Sequence, residues 1–176
     1  MKPKLAFPIV AIALAACQAQ PATQTADTTW AQTAAAAAED AKALVARAYE
    51  TFNSRDFDAY AELYTADADT WSTDGSMVSG AQNVAAWDMA WADAFPDARI
   101  ISSQMVAEGS FVVSQNRFTG THEGTIVTAD GNEIPATGNQ VDVPYVAVFE
   151  IEDGKVKHQR IYYNVMDMLE QLGQMP

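Results

Sequence analysis

The sequence predicts an α+β fold in which about three helices precede an antiparallel β-sheet. Apolar residues between Ala41 and Phe52 recur at intervals of three and four, the spacing of a helix with one buried face. Pro96 ends the last helical stretch. After Ala98 the chain is rich in Val, Ile, Phe and Tyr between Gly or Asp-Gly turns, which indicates strands. Helices followed by strands is the order of an α+β domain.

The helical half divides into three segments. The first has its buried stripe at residues 41–52 and is expected to end at the Asn-Ser-Arg-Asp sequence at 53–56. A short second helix follows and ends before Thr65. A brief strand near 70–74 and a loop between Gly75 and Gly80 lead to the third helix, which carries Val84, Trp87, Trp91 and Phe95.

The second half predicts four strands, at 99–107, 111–122, 141–151 and 156–164, and a last helical turn at 165–172. The Glu-Asp-Gly-Lys sequence at 152–155 joins the last two strands as a hairpin. A two-residue loop places 158, 160, 162 and 164 on the face of 143, 145, 147 and 149. A three-residue loop with a bulge pairs that face with 146, 148 and 150 instead. The sequence leaves both registers open.

The first 16 residues read as an export signal. Lys2 and Lys4 precede an apolar run at 5–16 that is too short to cross a bilayer as a mature helix. The run ends in Leu-Ala-Ala-Cys, which resembles the lipobox of bacterial lipoproteins, with Cys17 as the lipidated residue. Gln18 after it resembles the pattern of outer-membrane lipoproteins that face the periplasm. An ordinary cleaved signal with a chance cysteine is the alternative.

Residues 17–37 are then expected to be the lipidated cysteine and a flexible tether of Gln, Ala and Thr, and 38–176 the domain. The alanine run at 34–38 is an alternative start of the first helix. Removal of Lys2 and Lys4 with the signal leaves 8 basic and 23 acidic residues, so the net charge changes from −13 to −15. This charge argues against nucleic acid as a partner, and membrane contact is expected through the anchor at Cys17 alone.

Short segments of the domain occur in the order and at the spacing of one known family. They are Phe-Pro-Asp at 95–97, Ala-Glu-Gly at 107–109, Gly-Thr-His-Glu-Gly at 120–124, Pro-Ala-Thr-Gly at 135–138, Phe-Glu-Ile-Glu-Asp-Gly-Lys-Val at 149–156 and Gln-Leu-Gly at 171–173. Together, over about 40–173, they resemble the SnoaL-like polyketide cyclase or ester cyclase branch of the nuclear transport factor 2-like superfamily. The resemblance implies a cone-shaped fold, in which a curved sheet wraps the helices around one pocket.

The resemblance also bears on chemistry. Members of that family carry an aspartate nine residues before the closing glycine, where it acts as the general acid and base on a carbonyl substrate. Here the position is Asn164, whose amide does not exchange a proton near neutral pH. His122 matches a residue type that recurs in relatives and is a candidate proton shuttle. A structural role at a strand end is its alternative.

The remaining candidates are expected to bind substrate. Trp71, Arg160 and Tyr162 are candidate pocket contacts, and Trp87 and Trp91 are candidates that are equally consistent with core packing. No metal site is expected, since two histidines on different strands fall short of the usual zinc patterns. No cofactor is expected either, because the chain has no nucleotide-binding glycine fingerprint.

Three functions are consistent with these features. The first is a lipid-anchored domain that binds a small hydrophobic or carbonyl-containing molecule without standard cyclase acid and base chemistry. The second is a cyclase, isomerase or hydrolase acting on a small carbonyl compound, with Asn164 and His122 polarising the substrate. The third is a protein-interaction module, with a homodimer formed through the outer face of the sheet. Fold alone does not choose among the three.

Overall fold

The computed structural model describes residues 24–175, with side chains from residue 29 onward. The proposed signal, Cys17 and the first part of the tether lie outside the described residues. The helices are α1 (Gln24–Ser54), α2 (Phe57–Glu62), α3 (Ala81–Ala94) and α4 (Val165–Gln171). The strands are β1 (Tyr64–Ser72), β2 (Met77–Ser79), β3 (Arg99–Glu108), β4 (Phe111–Thr121), β5 (Ile126–Val127), β6 (Glu133–Ile134), β7 (Gln140–Glu152) and β8 (Lys155–Tyr163).

The predicted α+β order is confirmed. Six strands form one curved sheet in the order β2-β1-β8-β7-β4-β3, and β5 pairs with β6 in a separate two-stranded ribbon. All neighbours in the large sheet are antiparallel except β1 and β8, which run parallel. The sequence did not predict this pair, because β1 and β8 lie at opposite ends of the domain sequence.

The first helix is longer than its buried stripe. Its apolar face, including Val45, Ala48 and Phe52, is buried against the sheet, as the spacing predicts. The helix begins at Gln24, so the part of the tether segment at 24–37 is helical and includes the alanine run at 34–38. The side chains at 29–37 are exposed. In the described part of the chain, none of the helices combines the length and hydropathy needed to span a bilayer.

The hairpin between β7 and β8 decides which residues face the helices. Its two-residue loop is Asp153-Gly154, with φ of 50° and 73°, and positive φ at both positions is what a tight hairpin turn requires. The register then shifts between Glu150 and Ile151, and Lys157 is the extra residue on β8. Beyond that bulge, Val146 pairs with Tyr162 and Val148 with Arg160. This is the pairing of the second register considered above, but it is reached by a two-residue loop and a bulge, not by a three-residue loop.

The consequence is a division of β8 between two faces. Gln159, Ile161 and Tyr163 point to the concave face, where the helices pack, because side chains alternate along a strand. His158, Arg160 and Tyr162 lie on the opposite face of the sheet. We call that opposite side the outer face, and its apolar members on β3 and β4 include Val106, Phe111 and Val113.

Candidate active site

A cavity of about 80 Å³ lies between the helices and the concave face of the sheet. Its wall combines side chains from all four helices with others from β1, β3, β4, β7 and β8. Most are large and apolar or aromatic, and they include Tyr49, Phe52, Tyr60, Trp87, Trp91, Ile100, Phe118, Tyr145, Ile161 and Tyr163. The tryptophan rings of residues 87 and 91 are 6.2 Å apart and meet edge to face. Trp87 and Trp91, two of the predicted contacts, therefore line the cavity.

One carboxyl group is part of this wall. Asp88 lies on the buried side of α3 with Val84, Ala85 and Ala92, and its side chain is only 7% exposed. Its Oδ2 atom has no hydrogen-bond partner. Burial raises the pKa of this carboxyl from 3.8 to about 7, and a hydrogen-bonding contact with Tyr60 opposes the rise without cancelling it. Asp88 thus exchanges a proton in the neutral range.

Several tyrosines share the cavity wall with that carboxyl. Asn116 Nδ2 donates to Tyr49 Oη at 3.0 Å, and Asn116 is itself held by Ser114, whose hydroxyl donates to Asn116 Oδ1 at 2.7 Å. Since Tyr49 accepts this bond, its own hydroxyl hydrogen remains for another acceptor. Burial raises the pKa of Tyr49 to about 12, and Ser114, Asn116 and Tyr145 partly oppose the rise. Tyr49 is therefore a neutral donor near pH 7.

A second chain of hydrogen bonds fixes the α2 side of the cavity. The Oη atoms of Tyr60 and Tyr64 are 2.6 Å apart, and Tyr64 donates to Gln159 Oε1 at 2.8 Å. Thr70 donates to the same oxygen at 3.1 Å. Burial, followed by the charge of Asp88, raises the pKa of both tyrosines well above 10. The cavity therefore contains one group that titrates near neutrality among hydroxyls that stay protonated.

The other predicted substrate contacts lie on the outer face. Asp69 Oδ2 is 2.6 Å from His158 Nδ1, and Arg160 donates to the other oxygen of Asp69. The rings of Trp71 and Tyr162 are 5.5 Å apart beside this pair. None of these side chains reaches the cavity, because Trp71 pairs with Arg160 across β1 and β8 and shares its face. Trp71, Arg160 and Tyr162 therefore form an outer-face cluster.

Asn164 has a structural partner of its own. Its Oδ1 accepts from the backbone amides of Met166 at 3.1 Å and Asp167 at 3.3 Å, so the side chain caps the N-terminus of α4. The residue is exposed and is not part of the wall of the cavity at Asp88. A side chain engaged in this way does not point at a substrate held near Asp88. Asp167 also lies outside that wall.

His122 is fully buried at the end of β4, against the ring of Phe95 at 5.1 Å. Its Nδ1 lies 3.1 Å from the Thr137 hydroxyl oxygen and 3.3 Å from the Thr137 backbone nitrogen, and its Nε2 has no hydrogen-bond partner. Burial lowers the pKa of His122, and backbone hydrogen bonding at Gly124 opposes this. The neutral ring packs between β4 and the segment at 137–139, outside the cavity wall. Within residues 24–175, no three His, Cys, Asp or Glu side chains are arranged to hold a metal ion.

The sequence profile of the SnoaL-like polyketide cyclases matches residues 43–172. The chain therefore belongs to the SnoaL-like polyketide cyclase family. Comparison with curated proteins gives no match. A solved SnoaL-like polyketide cyclase from Jannaschia sp. CCS1 is similar at 24% identity and a TM-score of 0.69, over 78% of this chain and 94% of that one. AclR from Streptomyces galilaeus, described as a hydroxylase, is similar at 26% identity and a TM-score of 0.67, over 79% and 99%.

A third similar structure carries a ligand. It is a protein with a ketosteroid isomerase-like fold from Catenulispora acidiphila DSM 44928, in complex with trimethylamine, at 15% identity and a TM-score of 0.63 over 76% of this chain and 93% of that one. These likenesses agree with the nuclear transport factor 2-like cone fold that the resemblance implied.

Sequence reasoning missed Asp88, although one signal for it was present. Asp88 lies four residues after Val84 and seven before Phe95, on the apolar stripe of a predicted helix. A carboxylate on such a stripe is unusual, since an unpaired charge is costly to bury. In this SnoaL-like domain the stripe borders a cavity, which explains why the carboxyl is tolerated there.

Proposed function

We propose that this SnoaL-like chain is an enzyme that transfers a proton on a small carbonyl compound, with Asp88 as the acid and base. The observation that carries the proposal is the buried carboxyl of Asp88, whose Oδ2 has no hydrogen-bond partner and which lies on a residue of the aromatic cavity wall. A group with a pKa of about 7 can both accept and release a proton at neutral pH. The absence of a carboxylate at Asn164 therefore does not exclude proton-transfer chemistry.

The proposed step uses two side chains. Asp88 Oδ2 removes a proton from the carbon next to the carbonyl group, and the C–H electron pair moves into the new C=C bond. The carbonyl oxygen becomes an enolate, which accepts a hydrogen bond from the Tyr49 hydroxyl. Return of the proton from Asp88 to carbon, at the same or another position, completes an exchange or an isomerisation. Alternatively, the enolate carbon attacks a second carbonyl group of the same molecule and closes a ring, and the alkoxide formed from that carbonyl takes the proton back from Asp88.

Binding of a small ammonium ion without chemistry is the second candidate. The observation that favours it is that one carboxyl group and two tryptophan side chains share a cavity wall, since aromatic faces and a carboxylate attract alkylammonium cations. The trimethylamine complex of the Catenulispora relative shows that a protein of this fold holds such a molecule. A bound cation stabilises the Asp88 carboxylate and lowers its pKa, whereas a carbonyl compound does not.

Deuterium exchange at C2 of methyl acetoacetate separates the two candidates. The exchange is measured by NMR of the ester in the presence of the full-length protein. We expect exchange above the buffer rate, with a loss of at least about a hundredfold in Asp88→Asn, the range for removal of a general base. Asp69→Asn is the matched control, because this carboxylate is on the outer face and is bound to His158. Equal exchange in wild type and Asp88→Asn would overturn the proposal. Calorimetric binding of trimethylammonium that is lost in Asp88→Asn would then support the binding candidate.

We further propose that the chain is exported and anchored to a bacterial membrane, facing the periplasm, by lipid on Cys17. The support is the sequence at 1–18, with its basic start, its apolar run and its Leu-Ala-Ala-Cys ending. Fractionation of expressing cells tests this. Wild type is expected in the outer-membrane fraction with an acylated Cys17 by mass spectrometry, and Cys17→Ser is expected to lose the acyl mass. An unmodified wild-type cysteine would contradict the anchor.

A further inference from the structure

A second cavity lies next to the first. It has a volume of about 310 Å³. Its wall is formed mainly by α4, by the β5–β6 ribbon and by the loop that joins β5 to β6. Three side chains, Trp91, Tyr163 and Met168, belong to the walls of both cavities. We call the cavity at Asp88 the inner cavity and its neighbour the outer cavity. The three shared side chains lie between the two cavities.

The volume of the inner cavity limits what it can hold. A buried apolar cavity of about 150 Å³ accommodates benzene, and binding pockets for small molecules generally measure about 300–1,000 Å³. At about 80 Å³, the inner cavity has room for a group smaller than a benzene ring. An acetyl group has the right size and brings the carbonyl oxygen that the proposed chemistry needs. A larger ligand that reaches Asp88 must therefore continue elsewhere.

The outer cavity has the chemistry to receive the rest. Its wall contains Ile126, Ile134 and Leu169, which bury apolar surface. Its rim carries Asp74, which accepts a hydrogen bond from Tyr163 Oη at 3.2 Å, and Asp130. Hydrogen bonds, of which that from Thr128 is the largest influence, hold the pKa of Asp130 below its usual range. The rim is therefore negative at neutral pH and repels an anionic tail.

We propose that the two cavities form one binding site for a two-part substrate. A small acyl head enters the inner cavity beside Asp88, and an uncharged apolar body several carbons long occupies the outer cavity. This inference rests on the proposed function for the chemistry of the head, whereas the body follows from the outer cavity alone. The connecting chain passes between Trp91, Tyr163 and Met168, and the unbranched methionine side chain adapts most readily to it.

The test is calorimetric binding of alkyl acetoacetates, from the methyl to the octyl ester, to the full chain. Each methylene buried in the outer cavity is expected to lower Kd about fourfold. The octyl ester is therefore expected to bind at least tenfold more tightly than the methyl ester. A Kd that does not change with chain length would overturn the proposal.

Two variants locate the body of the ligand. Ala129 and Val127 are exposed positions on the wall of the outer cavity, so Ala129→Trp and Val127→Trp fill it from the surface with little effect on the core. Each is expected to reduce the advantage of the octyl ester at least fivefold and to leave methyl ester binding unchanged. Ala90→Trp, on the exposed side of α3, is the matched control and should behave as wild type. If all three variants bind the octyl ester equally well, the alkyl group of the ester lies outside the outer cavity, and the shared site is refuted.

The result is independent of catalysis. If chain length and the two filling variants act as expected while Asp88→Asn still exchanges deuterium, the two-part site stands and the proton-transfer proposal fails. If Asp88→Asn abolishes exchange of the methyl ester while chain length has no effect on Kd, the proton-transfer proposal stands and the two-part site fails.

Discussion

Replacement of Asp88 by asparagine is expected to change how folding stability depends on pH. The pKa of this carboxyl is 3.8 in its ordinary state and about 7 when buried in the folded chain. Between these values the folded chain keeps the proton and the unfolded chain releases it. The unfolded state therefore binds fewer protons, and the free energy of unfolding falls as the pH rises through this interval. Above pH 7 the contribution is constant.

The size of the effect follows from the same two values. At about 1.4 kcal/mol for each pH unit, the interval from 3.8 to about 7 corresponds to about 4 kcal/mol. About 3 kcal/mol of this is lost between pH 5 and pH 8.5. Asparagine has nearly the same shape and does not ionise, so Asp88→Asn should lose this part of the pH dependence. The free energy of unfolding of the variant, relative to that of wild type, is therefore expected to rise by about 3 kcal/mol between pH 5 and pH 8.5.

Urea unfolding at pH 5, 6, 7 and 8.5, followed by tryptophan fluorescence, measures the difference. Asp69→Asn is the control. Burial opposes ionisation of Asp69, but hydrogen bonds and charges of Arg160 and His158 hold its pKa below the usual range, so it is ionised throughout. Removal of the Asp69 carboxyl should therefore change the free energy of unfolding by nearly the same amount at each of these pH values. Parallel curves for wild type and Asp88→Asn would refute the assignment of a titrating carboxyl to this cavity.

Three further outcomes are expected. Asn164→Ala should lower the free energy of unfolding in urea by about 1 kcal/mol, because the α4 cap is lost. Asn164→Asp should keep the cap and leave acetoacetate turnover unchanged. A rise in turnover would return this position to the active site. Gly124→Ala should lower the free energy of unfolding by about 1–3 kcal/mol, because the new Cβ would lie 2.6 Å from the Asp93 carbonyl oxygen. Glu123→Ala, at an exposed position, is the control and should have almost no effect. We also expect self-association through the outer face, where Val106, Phe111 and Val113 are about half exposed. Light scattering should give twice the single-chain mass, and Val113→Lys should restore the single-chain mass; a wild type that stays monomeric would contradict this.

The elements that the sequence predicted share one property, which is that their signal is local. The stripe from Ala41 to Phe52 and the end of the third helix before Pro96 depend on neighbours a few residues apart. The Asp153-Gly154 turn is equally local, because positive φ is a preference of the residues themselves. The succession of helices and then strands along the chain and the membership of the family followed from such signals. They also placed Trp87 and Trp91 on the helix that lines the cavity.

The candidate site was less accessible to the sequence, and β8 shows why. A single extra residue, Lys157, reverses the face of every residue beyond it, because side chains alternate with a period of two. The sequence permits the hairpin with or without that bulge. Arg160 and Tyr162 therefore lie on the outer face, and Gln159, Ile161 and Tyr163 face the helices. Asn164 follows the strand and became a helix cap, a role that depends on the chain turning into α4 at that point.

The sequence by itself determined the α+β class and the family, because periodicity, turn residues and family segments are properties of short stretches. Only the tertiary structure decided which side chains meet in one cavity. The pKa of Asp88 depends on how many atoms from α1, α2 and the sheet exclude water from one carboxyl, and these elements are distant in sequence. The same packing brings Tyr49 and Asp88 into the wall of one cavity, an arrangement that no local pattern encodes.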